Sequence, residues 1–291
     1  MDFEIVLVEW RAWSDRPWLS TLLADAFPDL VGHARIASYV VDGRYHSAFG
    51  LNGQEAISDF IALNVGIRRA RAPFILTTRR DIYFSRQLIE RMRPGMLRPS
   101  ALYRAIRIGV SATSLEEVIE SDDRAFEDPG HRPGIDGLHA SAHGFGHFLL
   151  MGAGAFGLIR GFNEIQRRAP IHLDQNFCLK VRSMGVPILD FDEPVYDFGS
   201  GTPDDSAAGA NLSESTPEDR SLGERIVYQN HDDWGLRLAP ETRVSDHTTF
   251  LEFDWRAVPP LIDLNRLSVR AYRRTHTAVP ETTTRDEVER R

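Results

Sequence analysis

The chain has 291 residues, of which 42% are hydrophobic and 26% charged. A chain of that length and composition can bury enough apolar surface to fold without disulfides or structural metals, which argues against a small stapled module. Its formal net charge of −8 argues against a protein devoted to coating nucleic acid or anionic membrane, and leaves room for a small anionic substrate. Cys178 is the only cysteine, so an internal disulfide is impossible and a thiolate zinc site is disfavoured, as in a reducing cytoplasm. The acidic start around Asp2 and Glu4 does not read as an export signal. The longest weakly polar stretch, 144–159, is shorter than the roughly 20 residues a membrane helix needs. The expectation is a cytoplasmic protein with no nucleic-acid partner and no transmembrane segment.

In chain order, Glu4-Ile-Val-Leu-Val-Glu9-Trp10 reads as a buried strand. Pro17 then opens a helix on which Trp18, Leu19, Leu22, Leu23, Ala26 and Phe27 recur at helical spacing. Residues 34–41 form a second strand, 56–70 a helix, and 73–78 a third strand. Residues 102–110 suggest one more strand and 115–120 a short helix. A helix is expected over 153–159, another over 174–184, and a strand over 186–191. Short apolar runs alternating with helical patterns predict an α/β fold with a mostly parallel central sheet flanked by helices. The polar loops 122–137 and 199–219 have the length of functional loops, the second being either a mobile cover over a site or plain linker. Residues 266–274 read as a C-terminal helix packed on the domain, with membrane proximity as the alternative. Residues 275–291 are expected to be disordered. This gives a single domain over 1–274.

The richest segment is Asn64-Val-Gly-Ile-Arg68-Arg-Ala-Arg-Ala-Pro-Phe-Ile-Leu-Thr-Thr-Arg79-Arg80-Asp81. A helix delivers arginines to its C-terminal end, a buried strand follows, and the strand stops at a carboxylate. Ligands of open α/β sheets bind outside the carboxyl ends of strands, so Asp81 suits a metal or nucleotide; alternatively it caps the helix suggested over 85–92. Asp42, after the second strand, suits a nucleobase or ribose, or is an exposed turn acid. His139, His143 and His147 lie four apart, but Gly144 and Gly146 oppose the helix a zinc site would need. A strand leading into the site, with His147 facing substrate, is preferred.

These pieces together resemble the family 2 glycosyltransferases. The order is the first strand, 64–70, 74–82, Gly146-His147-Phe-Leu-Leu-Met151, His172-Leu-Asp174, Gly199-Ser-Gly-Thr-Pro203 and Asp233-Trp234-Gly-Leu236. The nearest likeness is to a bacterial subgroup, and it runs from residue 4 to about 240. The resemblance implies the GT-A fold, with a nucleotide-sugar-binding half over about 1–110 and an acceptor-binding half over about 138–250. It implies an inverting transfer of a sugar, hexosyl or related, from a nucleotide-diphosphate sugar to the hydroxyl of a small-molecule or saccharide acceptor. On the donor side it points to Glu9, Asp42, Asn64, Arg68, Arg79, Arg80 and Asp81, and on the acceptor side to His147, His172 and Trp234. Asp174 would be the general base, with capping of its helix as the alternative, and Glu164 the reserve base. A divalent cation, Mg²⁺ or Mn²⁺, would sit on Asp81 and Asp197.

The chain departs from the family pattern at three places. Arg79 stands where relatives carry the first acid of the metal turn, Asp197 where they carry a histidine, and His147 where they carry an aspartate. Arginine could therefore supply the charge that a metal supplies elsewhere. The alternatives are a catalytically impaired nucleotide-sugar-binding protein of the same fold and, less favoured, a sugar-phosphate nucleotidyltransferase. The latter normally has a Gly-rich basic loop after the first strand, where this chain has Trp10-Arg-Ala-Trp-Ser-Asp15.

Overall fold

The computed structural model describes residues 3–10, 17–27, 35–49, 59–79, 81–110, 116–120, 122, 139–141, 148–164, 173–198 and 229–259. Arg80, His147 and His172 lie outside them, as do loop 199–219 and segments 266–274 and 275–291. The labelled elements are, in chain order, β1 (Glu4–Trp10), α1 (Leu19–Ala26), β2 (Arg35–Val41), α2 (Arg44–Ala48), α3 (Asp59–Arg69), β3 (Phe74–Thr78), β4 (Ile82–Phe84), α4 (Arg86–Arg91), β5 (Leu102–Arg104) and β6 (Arg107–Gly109). They continue as β7 (His139–Ser141), β8 (Phe148–Gly152), α5 (Ala153–Ile159), α6 (Leu173–Ser183), β9 (Ile188–Asp190), β10 (Val195–Asp197), β11 (Glu241–Arg243) and β12 (Thr248–Leu251). The fold is mixed α/β.

Three four-stranded sheets run in the orders β1-β2-β12-β11, β3-β8-β5-β9 and β4-β10-β6-β7. In the first, β1 and β2 pair in parallel from Glu4↔Arg35 to Trp10↔Val41, and β12 joins the other side of β2, also in parallel, ending at Leu251↔Val41. Three strands therefore stop at one edge. In the second, β8 is buried at all five positions and runs antiparallel to both β3 and β5. Among the described residues the first sheet is mostly parallel, and the ladders of the three sheets taken together are four parallel and five antiparallel. Alternating or continuous apolar runs report burial of a strand's faces and carry no information on the direction of its partner.

The single strand expected over 102–110 is corrected. The chain makes β5 in the second sheet, crosses at buried Ala105 and exposed Ile106, and resumes as β6 in the third. The carbonyls of Arg104 and Ile106 accept from Phe191 and Val195, so the partner changes while the apolar pattern continues. The helix expected over 115–120 is present at 116–120. Strands β4, β10, β11 and β12 are too short to show a period of two and have no counterpart in the sequence reading.

α3 joins two cores. Ile61 and Val65 pack with Tyr39, Val41, Tyr45, Phe49, Leu236 and Leu251. Ile67, with Phe60 and Leu63 beside it, packs with Ile75, Leu149, Met151, Phe156, Phe162, Phe177 and Trp234. A helix apolar on two faces sits between layers, and each fully buried side chain of this size stabilises the fold by about 1.5–3 kcal/mol. All the described residues belong to one compact unit, Met1–Pro260. Among them, no helix is long and apolar enough to cross a membrane.

Candidate functional site

At the edge where β1, β2 and β12 end, two expected donor ligands are engaged in holding loops. Glu9 accepts from the N–H of Leu19 at 2.8 Å and of Ser20 at 3.5 Å, and from Ser38 Oγ at 3.2 Å. It thereby satisfies the open N-terminus of α1, whose N-cap Trp18 offers no side-chain acceptor. Asp42 accepts from the Arg44 guanidinium at 2.7 Å and from the Arg44 N–H at 2.8 Å. The Arg44 side chain, then burial acting the other way, then the Arg44 and Phe253 backbone N–H groups set its acidity, and the balance holds it below the usual carboxylate range.

The strand β3 leads through exposed Arg79 to half-buried Asp81. The Asp81 carbonyl accepts from the Phe198 N–H at 3.1 Å, and the β4–β10 ladder sets Ile82 opposite Asp197, so the two acids expected to share a metal are neighbours in the sheet. The helix that follows is capped by other residues: Ser85 Oγ accepts from Leu88 N–H at 3.1 Å, and the Asp122 carboxylate from Arg86 N–H and the Tyr83 hydroxyl, both at 2.9 Å. Capping of α4 is therefore not Asp81's task. The Asp197 side chain is only 5% exposed and forms an ion pair with Arg107 at 3.0 Å. A buried carboxylate already neutralised by a partly buried guanidinium is a poor cation ligand. Of the expected pair, Asp197 therefore does not fit a hard divalent cation, and Asp81 is the carboxylate that would hold one.

A buried polar junction ties α3, the turn after α5 and the turn before β11. Asn64 is fully buried; its Nδ2 donates to the Phe162 carbonyl at 2.8 Å and to Glu164 Oε1 at 3.0 Å, and its Oδ1 accepts from Phe162 N–H at 2.8 Å. Glu164 Oε1 also accepts from Gly235 N–H at 2.8 Å. Asn230 receives the Glu164 N–H at 3.1 Å and donates to the carbonyls of Arg160 and Phe162. The backbone bends accordingly, with Arg160, Gly161, Gly235 and Leu236 all in the left-handed region. Asn64 is thus a structural partner of Glu164, and Trp234, 3% exposed, is part of the core. The Arg68 guanidinium lies 5.0 Å over the Trp234 ring and donates to the Asp232 carbonyl at 3.1 Å. Burial, with Arg237 and Arg69 nearby, lowers its pKa.

The sequence reading missed Lys180, which is 1% exposed on α6 and donates to the Gly161 carbonyl at 3.0 Å. Its only signal is helical spacing with Phe177 and Met184, a stripe that otherwise reads as core. Burial lowers its pKa to about 7, against the attraction of Glu164 and with the repulsion of Arg160. Below pH 7 both folded and unfolded chains carry this proton, and the cost of burying the ammonium is fully present. Between pH 7 and the ordinary 10.5 the folded chain has released it and the unfolded chain has not, so stability rises with pH. Urea unfolding of the wild type should therefore show a midpoint that climbs from pH 7 to 9. In Lys180→Met the climb should be lost, and an equal climb in both proteins would refute the assignment.

Asp174 differs from Glu9, Asp42, Glu164 and Asp197. α6 begins at Leu173, so Asp174 lies in the first turn and not at the cap. It is half-buried, and among the described residues it accepts no hydrogen bond and joins no ion pair. Residues 165–172 immediately before it lie outside the described residues.

Neither a protein-family model nor a curated protein matches the sequence. Two solved structures of Drosophila β1,4-galactosyltransferase 7 are similar to this chain at 12% identity, each match covering 89% of this chain and 98% of that one. One is the catalytic domain in complex with xylobiose, at a TM-score of 0.41. The other is a mutant in complex with manganese, UDP-Gal and xylobiose, at 0.42. At these values the chemistry of the present chain rests on its own residues.

Proposed function

We propose that this chain is an inverting glycosyltransferase of GT-A architecture that moves a sugar from a nucleotide-diphosphate sugar to an acceptor hydroxyl, as its resemblance to family 2 enzymes of the bacterial subgroup implies. The observation that carries the reading is Asp174: Glu9, Asp42, Glu164 and Asp197 are all engaged by donors of the fold, whereas Asp174 keeps a half-buried carboxylate with no partner among the described residues. In the transfer, the acceptor oxygen bonds to the anomeric carbon as the bond from that carbon to the phosphate oxygen breaks. Asp174 takes the hydroxyl proton, and the nucleoside diphosphate leaves with the electron pair. Arg79, just beyond the end of β3, would answer the charge that develops on the leaving diphosphate, a role that the sequence also suggests for Arg80. A divalent cation, when bound, would screen the same charge from Asp81.

Release of UDP, GDP or dTDP across a panel of nucleotide sugars, with and without saccharide acceptors, tests the activity. Asp81→Ala should lower turnover at least about tenfold, a share of the charge stabilisation usual at such a position. Wild-type turnover at saturating donor would remove Asp81 from the site. The Arg107–Asp197 pair favours one second reading, a protein that binds nucleotide sugars without transferring them. Nucleotide binding with no release from any donor would establish it.

A further inference from the structure

Resting on that reading, we infer that Trp255 forms the stacking platform for the donor's nucleobase. It follows β12 on a short turn of 3₁₀ helix and is 70% exposed, the most exposed large apolar side chain among the described residues. It is not a stray surface residue. Its ring meets Phe253 edge to face at 4.9 Å, and Phe253 meets buried Tyr45 at 5.0 Å, so the indole stands on an aromatic column rooted in the core. The Tyr45 hydroxyl donates to the Glu252 carbonyl at 3.0 Å and accepts from Asp254 N–H at 3.1 Å, which fixes the base of that column. The Asp254 carboxylate in turn accepts from the N–H and guanidinium of Arg256, closing the turn that carries Trp255.

The position selects the occupant. Trp10, Val41 and Leu251 end three adjacent parallel strands, and the residues just beyond carboxyl ends are where α/β sheets hold nucleotides. Strands lie about 4.8 Å apart, so the end of β12 is about 10 Å from that of β1, close enough for one nucleotide to reach both. Asp42, which the sequence suggests as the base or ribose partner, already accepts from Arg44 and Phe253, and its side chain is only 13% exposed. Among the described residues at this edge, the Trp255 face is exposed, and the Arg44 side chain, paired with Asp42 yet 67% exposed, lies 5.0 Å over the Phe253 ring. A flat π surface beside in-plane N–H donors suits a planar heterocycle with carbonyl oxygens, as in uracil or guanine, better than a puckered sugar.

The test is calorimetry and tryptophan fluorescence with uridine and guanosine monophosphates on the wild type, Trp255→Ala and Trp255→Phe, with cellobiose as a third titrant. Whichever nucleotide binds the wild type should bind Trp255→Ala about ten- to hundredfold more weakly, the usual worth of one stacked base, and Trp255→Phe within about threefold of wild type. Unchanged nucleotide affinity in Trp255→Ala overturns the platform and leaves the transferase reading standing. A cellobiose affinity that depends on Trp255 while nucleotide affinity does not also overturns it, in favour of a saccharide site. If the wild type binds neither nucleotide, nor thymidine monophosphate, the transferase reading falls and the platform with it.

Discussion

Asp174→Asn is expected to lower the catalytic rate by two or more orders of magnitude, with melting temperature and nucleotide affinity close to wild type. The base of an inverting displacement touches the acceptor hydroxyl and not the nucleotide, so its loss acts on the chemical step alone. Asparagine keeps the size and polarity of the side chain in the first turn of α6. The removed negative charge costs that helix about 0.3–1 kcal/mol through its dipole, small beside the effect on rate. Steady-state donor release, thermal melting and nucleotide calorimetry on the one variant separate the roles. An active enzyme that merely melts earlier would show that Asp174 serves the helix. Glu164 would then be the acid to examine, although its Oε1 is occupied by Asn64 and Gly235 in a buried junction.

Gly161→Ala should produce a large loss of stability for a single methyl addition. The backbone there has φ +62°, and an added Cβ would stand 2.2 Å from Asn64 Oδ1 and 2.7 Å from Trp234 Cζ3. Neither neighbour yields easily. Asn64 Oδ1 is held by the Phe162 N–H and Trp234 lies in the core, so relief of the clash breaks the junction that also holds Glu164 and Lys180. The left-handed backbone costs about 1–2 kcal/mol for a residue with a Cβ and the overpacking about 1–3 more, giving about 2–5 kcal/mol in a domain whose total stability is typically 5–15. Gly157→Ala is the control: on α5, with nothing within 4 Å of the new methyl, it should leave stability unchanged or raise it by up to about 1 kcal/mol. Denaturant titration of both variants checks the pair, and equal stabilities would refute the strain assigned to Gly161.

Residues carrying their own local signal were legible from the sequence. The β-branched run that makes β1, the apolar spacing of α1 and α5, and the arginine-bearing α3 leading into β3 depend on neighbours within one turn or one strand, so periodicity reports them. Asp174 was placed at a helix start, and α6 begins one residue before it. The acidic, histidine and tryptophan positions follow from residue type and from the family resemblance, and neither reveals occupancy. Whether Asn64, Glu164 or Asp197 is open to a ligand was decided by donors distant in sequence: Phe162 for Asn64, Gly235 for Glu164 and Arg107 for Asp197. Lys180 was hidden for the same reason, since the partner that tolerates a buried amine, the Gly161 carbonyl, belongs to another element. The direction of each ladder and the insertion of β12 beside β2 likewise came from tertiary structure alone, because a four-residue strand is stabilised by the edge it completes and not by its own sequence. What the sequence by itself determined is the run of strands and helices that brings Asp81 and Asp174 to element ends. Only long-range hydrogen bonds and packing decided which polar groups there are already paired, because burial is set by neighbours that local periodicity cannot see.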